Sequence, residues 1–66
     1  MRLKVNGEER EVAAGLTVAE LLRQLGIESR YLALERNRQV VPRQDYATTV
    51  LEEGDELEII RFVGGG

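Results

Sequence analysis

The chemistry open to this chain is narrow, because its 66 residues include neither histidine nor cysteine. Without thiols there is no disulfide, no sulfur nucleophile and no iron–sulfur ligation by the chain. A zinc site would have to be made from carboxylates alone, an unusual ligand set. General bases and nucleophiles reduce to carboxylates, hydroxyls and a single lysine, Lys4. That inventory argues against an enzyme. The group that stands out is the carboxylate of Gly66, which follows Phe62-Val63-Gly64-Gly65. Glycine has no Cβ, so a Gly64-Gly65-Gly66 backbone can thread a channel that any side chain would block. An extended tether of this kind can carry Gly66 into a partner's active site. A carboxylate is a poor electrophile, so it needs activation, most simply as an acyl adenylate made with ATP by that partner. The competing reading is a frayed terminus, since glycine is common at flexible ends.

Such a tail needs a domain behind it, and the preceding residues supply one. Met1, Leu3 and Val5 alternate with Arg2 and Lys4, the period of a half-buried strand. Asn6-Gly7 tolerates the positive φ of a type I′ turn, so a hairpin is expected, returning through Arg10, Glu11 and Val12. Thr17 and Glu20 form a T-x-x-E capping box, and Val18, Leu21, Leu22 and Leu25 follow as one apolar helical stripe. Gly26 suits the left-handed residue after the helix, and Ile27 sits where a Schellman motif places its hydrophobic contact.

Beyond the helix the period returns to two. Tyr31 to Glu35 reads as a third strand, with Leu32 and Leu34 on one face and Ala33 and Glu35 on the other. Val40-Val41-Pro42 reads as a short edge piece, because proline cannot donate to a ladder. Arg43 to Thr49 reads as a loop or one helical turn around Tyr46, expected to be a core anchor. Val50 and Leu51 suggest another short strand, Glu52-Glu53-Gly54-Asp55 a turn, and Glu56 to Val63 the last strand. One helix cannot cover both faces of a sheet, so one face should stay partly open.

Composition limits the function further. A net charge of −3 and a pI near 4.9 are the wrong sign for a nucleic-acid binder. No stretch approaches a membrane span and no signal-peptide pattern is present, so a soluble cytoplasmic protein, monomeric on its own, is expected.

The order and spacing of these motifs resemble the ubiquitin-like sulfur carriers, and within them the ThiS family of thiamine biosynthesis. The resemblance rests on the Asn6-Gly7 hairpin, Thr17-Val18-Ala19-Glu20-Leu21-Leu22, Leu32-Ala33-Leu34-Glu35-Arg36-Asn37, Val40-Val41-Pro42-Arg43, Glu53-Gly54-Asp55 and Val63-Gly64-Gly65-Gly66. It covers essentially the whole chain. It implies an α+β, ubiquitin-like β-grasp fold: a mixed four- to five-stranded sheet with one main helix on one face. The final strand would lie parallel beside the first. Residues 1–63 would form the domain and 64–66 a flexible tail. The resemblance further implies that an E1-like enzyme adenylates Gly66 with ATP and that a sulfur-donating enzyme supplies the sulfur for its thiocarboxylate. Thiazole synthase would then receive that sulfur. No cofactor or metal would be bound by the carrier itself. Gly65 would give close backbone access and Gly64 would extend the tether.

A second candidate site is the open sheet face. If Leu57 and Ile59 point into the core, Ile60 and Phe62 point outward, with Ala33 on the same face one strand over. Apolar residues clustered beside a functional tail suggest a docking patch. The acidic run Glu52, Glu53, Asp55, Glu56 and Glu58 reads mainly as a solvated turn. Arg36, Arg38 and Arg43 read as surface residues. Competing functions are sulfur donation to molybdopterin or tRNA thiolation, a protein modifier forming isopeptide bonds, and a β-grasp interaction module that binds RNA. The lone Lys4 disfavours lysine-linked chains, and the charge disfavours RNA.

Overall fold

Two-residue turns fix the sheet in the computed structural model, which describes residues 1–62. Strand β1 (Arg2–Val5) turns through Asn6-Gly7, at φ 51° and 82°, into β2 (Glu8–Glu11). Because the loop has only two residues, pairing resumes at once with Val5 opposite Glu8. The returning strand therefore begins at Glu8, and Val12 lies beyond it, its N–H donating to the Met1 carbonyl. All four residues of β2 are exposed, so no apolar alternation marked it in the sequence.

Helix α1 (Val18–Gln24) has the expected capping box. Thr17 Oγ1 accepts from the Glu20 N–H at 3.2 Å, and Glu20 Oε1 accepts from the Thr17 N–H at 2.9 Å. It ends in a Schellman motif: the Ile27 N–H donates to the Leu22 carbonyl, the Gly26 N–H to that of Arg23, and Gly26 has φ 70°. Val18, Leu21 and Leu22 are buried against the sheet.

A 3-10 turn (Ser29–Tyr31) leads into β3 (Leu32–Arg36), so Tyr31 closes a turn rather than opening the strand. A second two-residue turn, Asn37-Arg38, joins β3 to the edge strand β4 (Gln39–Val40). Another 3-10 turn (Arg43–Asp45) carries Tyr46 into the core. The strand expected at Val50-Leu51 is a single bridge from Val50 to Thr17, with the Leu51 N–H bonded to the Leu16 carbonyl. Strand β5 (Glu56–Arg61) completes the sheet. Phe62 adds one more bond, from its N–H to the Tyr31 carbonyl, and Val63, also expected in this strand, lies outside the described residues.

The strand order is β2-β1-β5-β3-β4, with β5 parallel to β1 and antiparallel to β3. This is the mixed sheet of the ubiquitin-like β-grasp. Leu3, Val5, Leu32, Leu34, Leu57 and Ile59 line its inner face and meet the helix. Each such side chain contributes about 1.5–3 kcal/mol on burial. Among the described residues no helix is long and apolar enough to cross a membrane.

Candidate functional site

The last described strand is central in the sheet, and its position is set by side chains as well as by its neighbours. At its start, Asp55 is only 5% exposed. Its carboxylate accepts from Arg36 Nε at 2.8 Å, Asn37 Nδ2 at 3.0 Å and the Glu52 N–H at 2.8 Å. Burial alone would push this carboxyl up. The Glu52 N–H, the Asn37 amide and the Arg36 guanidinium outweigh it and hold the group below its ordinary value. Asn37 also binds Glu56: its Oδ1 accepts from the Glu56 N–H at 3.0 Å and its own N–H donates to the Glu56 carbonyl at 2.8 Å.

Near the other end, Asn6 takes over where β1 stops. Its N–H donates to the Leu57 carbonyl, and its carboxamide binds both backbone groups of Ile59. Sequence reading placed Asn6 in a turn and missed this second role, for which the residue's hydrogen-bonding amide was the available signal. Two corrections follow from the Asp55 cluster. Asp55 belongs to the interior rather than to a solvated acidic run. Arg36, expected on the surface, keeps only a quarter of its side chain exposed, at 25%.

On the face away from the helix, β5 presents Glu56, Glu58 and Ile60, and Phe62 continues the row. Ile60 is 46% and Phe62 58% exposed. Ala33, partly buried, is the register partner of Ile60. Tyr31, 56% exposed, stands across from Phe62 and joins this patch. The strand alternation that put Ala33 outward also implied Tyr31, two residues earlier. The face is thus divided, acidic at the start of β5 and apolar at its end. Gly64, Gly65 and Gly66, the expected reactive tail, lie outside the described residues. Among the described residues no group of three acidic side chains is placed to hold a metal ion.

A profile of the ThiS family matches residues 3–66. The chain belongs to the ThiS family. The sulfur carrier protein ThiS of Escherichia coli is 36% identical over 66 residues, which is the whole of both chains. A thiazole synthase of Paramagnetospirillum magneticum is 50% identical over 66 residues; the chain spans only 20% of that relative's length. Among solved structures, the crystal structure of the thiamine biosynthesis protein ThiS from Geobacter metallireducens superposes with a TM-score of 0.86. It is 38% identical, and each chain is covered completely. Family membership and fold therefore agree from end to end.

Proposed function

We propose that this chain is a sulfur carrier of thiamine biosynthesis whose cargo is held at Gly66. The end-to-end match to the E. coli sulfur carrier carries the reading. A Gly66 carboxylate oxygen attacks the α-phosphorus of ATP on an E1-like enzyme, giving an acyl adenylate and releasing pyrophosphate. Sulfide, released as HS⁻ by a sulfur-donating enzyme, then adds to the acyl carbon and AMP leaves, so the C–O bond to AMP is exchanged for a C–S bond and the proton of HS⁻ is lost to solvent. The resulting thiocarboxylate passes its sulfur to thiazole synthase. Participation of that synthase is supported by the relative in which the matching stretch forms one-fifth of a thiazole synthase. The carrier is a substrate in each step and catalyses none, in keeping with a chain that lacks histidine and cysteine. The patch of Ala33, Ile60 and Phe62 serves as the docking surface that brings the tail to its partners.

Intact-mass analysis tests this directly. With activating enzyme, ATP and a sulfur donor, the carrier should gain the small mass of an oxygen-to-sulfur exchange. Thiazole synthase with its other substrates should reverse it. Isopeptide adducts with no thiocarboxylate under any donor would assign the chain to the protein modifiers instead.

A further inference from the structure

The 3-10 turn after Pro42 brings Arg43 and Tyr46 beside helix α1, and a groove of about 380 Å³ lies between them. Leu22 and Ile27 give it apolar walls, and Arg23, Ser29 and Arg43 stand around it. The Ala19 N–H donates to the Tyr46 carbonyl at 2.9 Å, which ties the turn to the helix and fixes the groove's width. Tyr46 is only 4% exposed, yet among the described residues its hydroxyl has no hydrogen-bond partner. No fully buried side-chain polar atom among those residues is left unbonded, so the Tyr46 hydroxyl keeps an accessible surface, and Tyr46 lines the groove. Burial pushes this hydroxyl up, and the charge of Arg43 acts against that rise. Neither Arg23 nor Arg43 forms an ion pair within 4.0 Å among the described residues. Two neighbouring carboxylates are committed elsewhere, Glu20 to Thr17 and Glu28 to Arg30.

We propose that this groove binds a small organic phosphate, a phosphomonoester on a flat heteroaromatic body, of the size of one mononucleotide. A buried hydroxyl without a partner is costly unless something supplies the bond, and a phosphate oxygen accepts it. Two free guanidiniums match the charge of a phosphomonoester, about −1.5 to −2 at neutral pH, better than that of a single carboxylate. The apolar walls of Leu22 and Ile27 receive the ring. The volume falls within the roughly 300–1,000 Å³ common to small-molecule sites. A net charge of −3 disfavours a long polyanion, so the two arginines serve a compact ligand. The groove shares no residue with the patch of Ala33, Ile60 and Phe62, and the proposal is independent of the carrier reading.

AMP, adenosine and inorganic phosphate, titrated separately into the isotope-labelled full chain and followed by NMR, test this. AMP should shift the Ser29 and Tyr46 amides and the Arg23 and Arg43 Nε–H resonances saturably. It should bind at least about tenfold more tightly than adenosine or phosphate. Arg23→Gln/Arg43→Gln should weaken AMP binding at least about tenfold, while Arg2→Gln/Arg10→Gln, which removes the same charge from the β1–β2 hairpin, binds as the native protein does. Tyr46→Phe removes only the hydroxyl and should weaken AMP about threefold or more. If the groove double variant fails to fold, Tyr46→Phe decides alone, and unchanged affinity overturns the proposal. No saturable shift at these residues, phosphate binding as tightly as AMP, or an equal loss in the hairpin control also overturns it. Tighter binding of a 5′-phosphorylated RNA trinucleotide would assign the groove to a nucleic-acid end instead.

Discussion

The carboxamide of Asn6 binds both backbone groups of Ile59, accepting from its N–H at 2.7 Å and donating to its carbonyl at 3.3 Å. The two residues are 53 apart in sequence. Asn6 thereby acts as one more residue of β1, made from a side chain, at the point where the main chain has already turned away. Asn37 holds Glu56 from the other hairpin, its Oδ1 accepting from the Glu56 N–H and its main-chain N–H donating to the Glu56 carbonyl. Both asparagines have φ 51°, so one residue type serves a left-handed turn and a strand clasp together. The substitution Asn6→Gly keeps the turn but removes the clasp. It should cost about 1–2 kcal/mol in denaturant unfolding. Hydrogen exchange at the Ile59 amide should accelerate. An unchanged exchange rate would show that water replaces the amide without loss.

Arg38 is the second residue of its turn and has φ 70°, where an L-residue is strained. Left-handed backbone costs a side-chain-bearing residue about 1–2 kcal/mol. Arg38→Gly should therefore raise stability, by about 0.5–1 kcal/mol after the flexibility of glycine in the unfolded chain is counted. A lower thermal midpoint would mean that the arginine makes a contribution larger than its strain.

Acid should weaken the fold through Asp55. Its carboxyl titrates below the ordinary value of 3.8 in the folded protein, so its contribution is fully present above that value. The contribution is lost as pH falls through 3.8 toward the lower, folded value. Asp55→Asn should flatten the pH dependence of the midpoint in this window and lower stability at neutral pH. Equal acid sensitivity in the two proteins would assign the effect to other carboxylates.

Gly65→Val should block adenylation while leaving the thermal midpoint almost unmoved. Under the tail proposal, a β-branched side chain at this position would obstruct the passage of the backbone into the activating enzyme. Pyrophosphate release with activating enzyme and ATP reads the first effect, and a melting curve reads the second. Native rates of release would remove the steric basis of the tail proposal.

Phe62→Asp should weaken binding to the activating enzyme far more than it alters stability. The side chain is 58% exposed, so a carboxylate there stays hydrated. Affinity and midpoint, measured on one preparation, separate the two effects. A variant that binds as well as the native protein would exclude Phe62 from the interface.

Much of this architecture was legible because each signal had a local cause. Asn6-Gly7, the Thr17–Glu20 box, the Gly26-Ile27 cap and the alternation along β5 each involve residues that interact within a few positions. The elements that escaped depend on distant partners. The returning strand β2 was announced by Asn6-Gly7, and only its bounds differed, because four exposed residues carry no periodic burial to mark its start at Glu8. Val50 reads as a strand residue, but its one partner is Thr17, which the sequence commits to capping a helix. Asp55 looked like a member of an acidic turn, and only the approach of Arg36 from the end of β3 and Asn37 from the turn after it makes it an interior group. At the site, alternation sufficed to turn Ile60 and Phe62 outward.

The central place of β5 has a consequence for how the protein comes into being. Its neighbours β1 and β3 are not bonded to each other, so until β5 is synthesised the sheet is two separate hairpins, β1–β2 and β3–β4. An isolated hairpin is marginal in water at best. A nascent chain emerging from the ribosome therefore has no stable core to form until its final described strand has left the exit tunnel. Docking of β5 is what joins the two hairpins into one sheet. A folded domain with β5 docked is thus one whose synthesis has already reached the threshold of its tail.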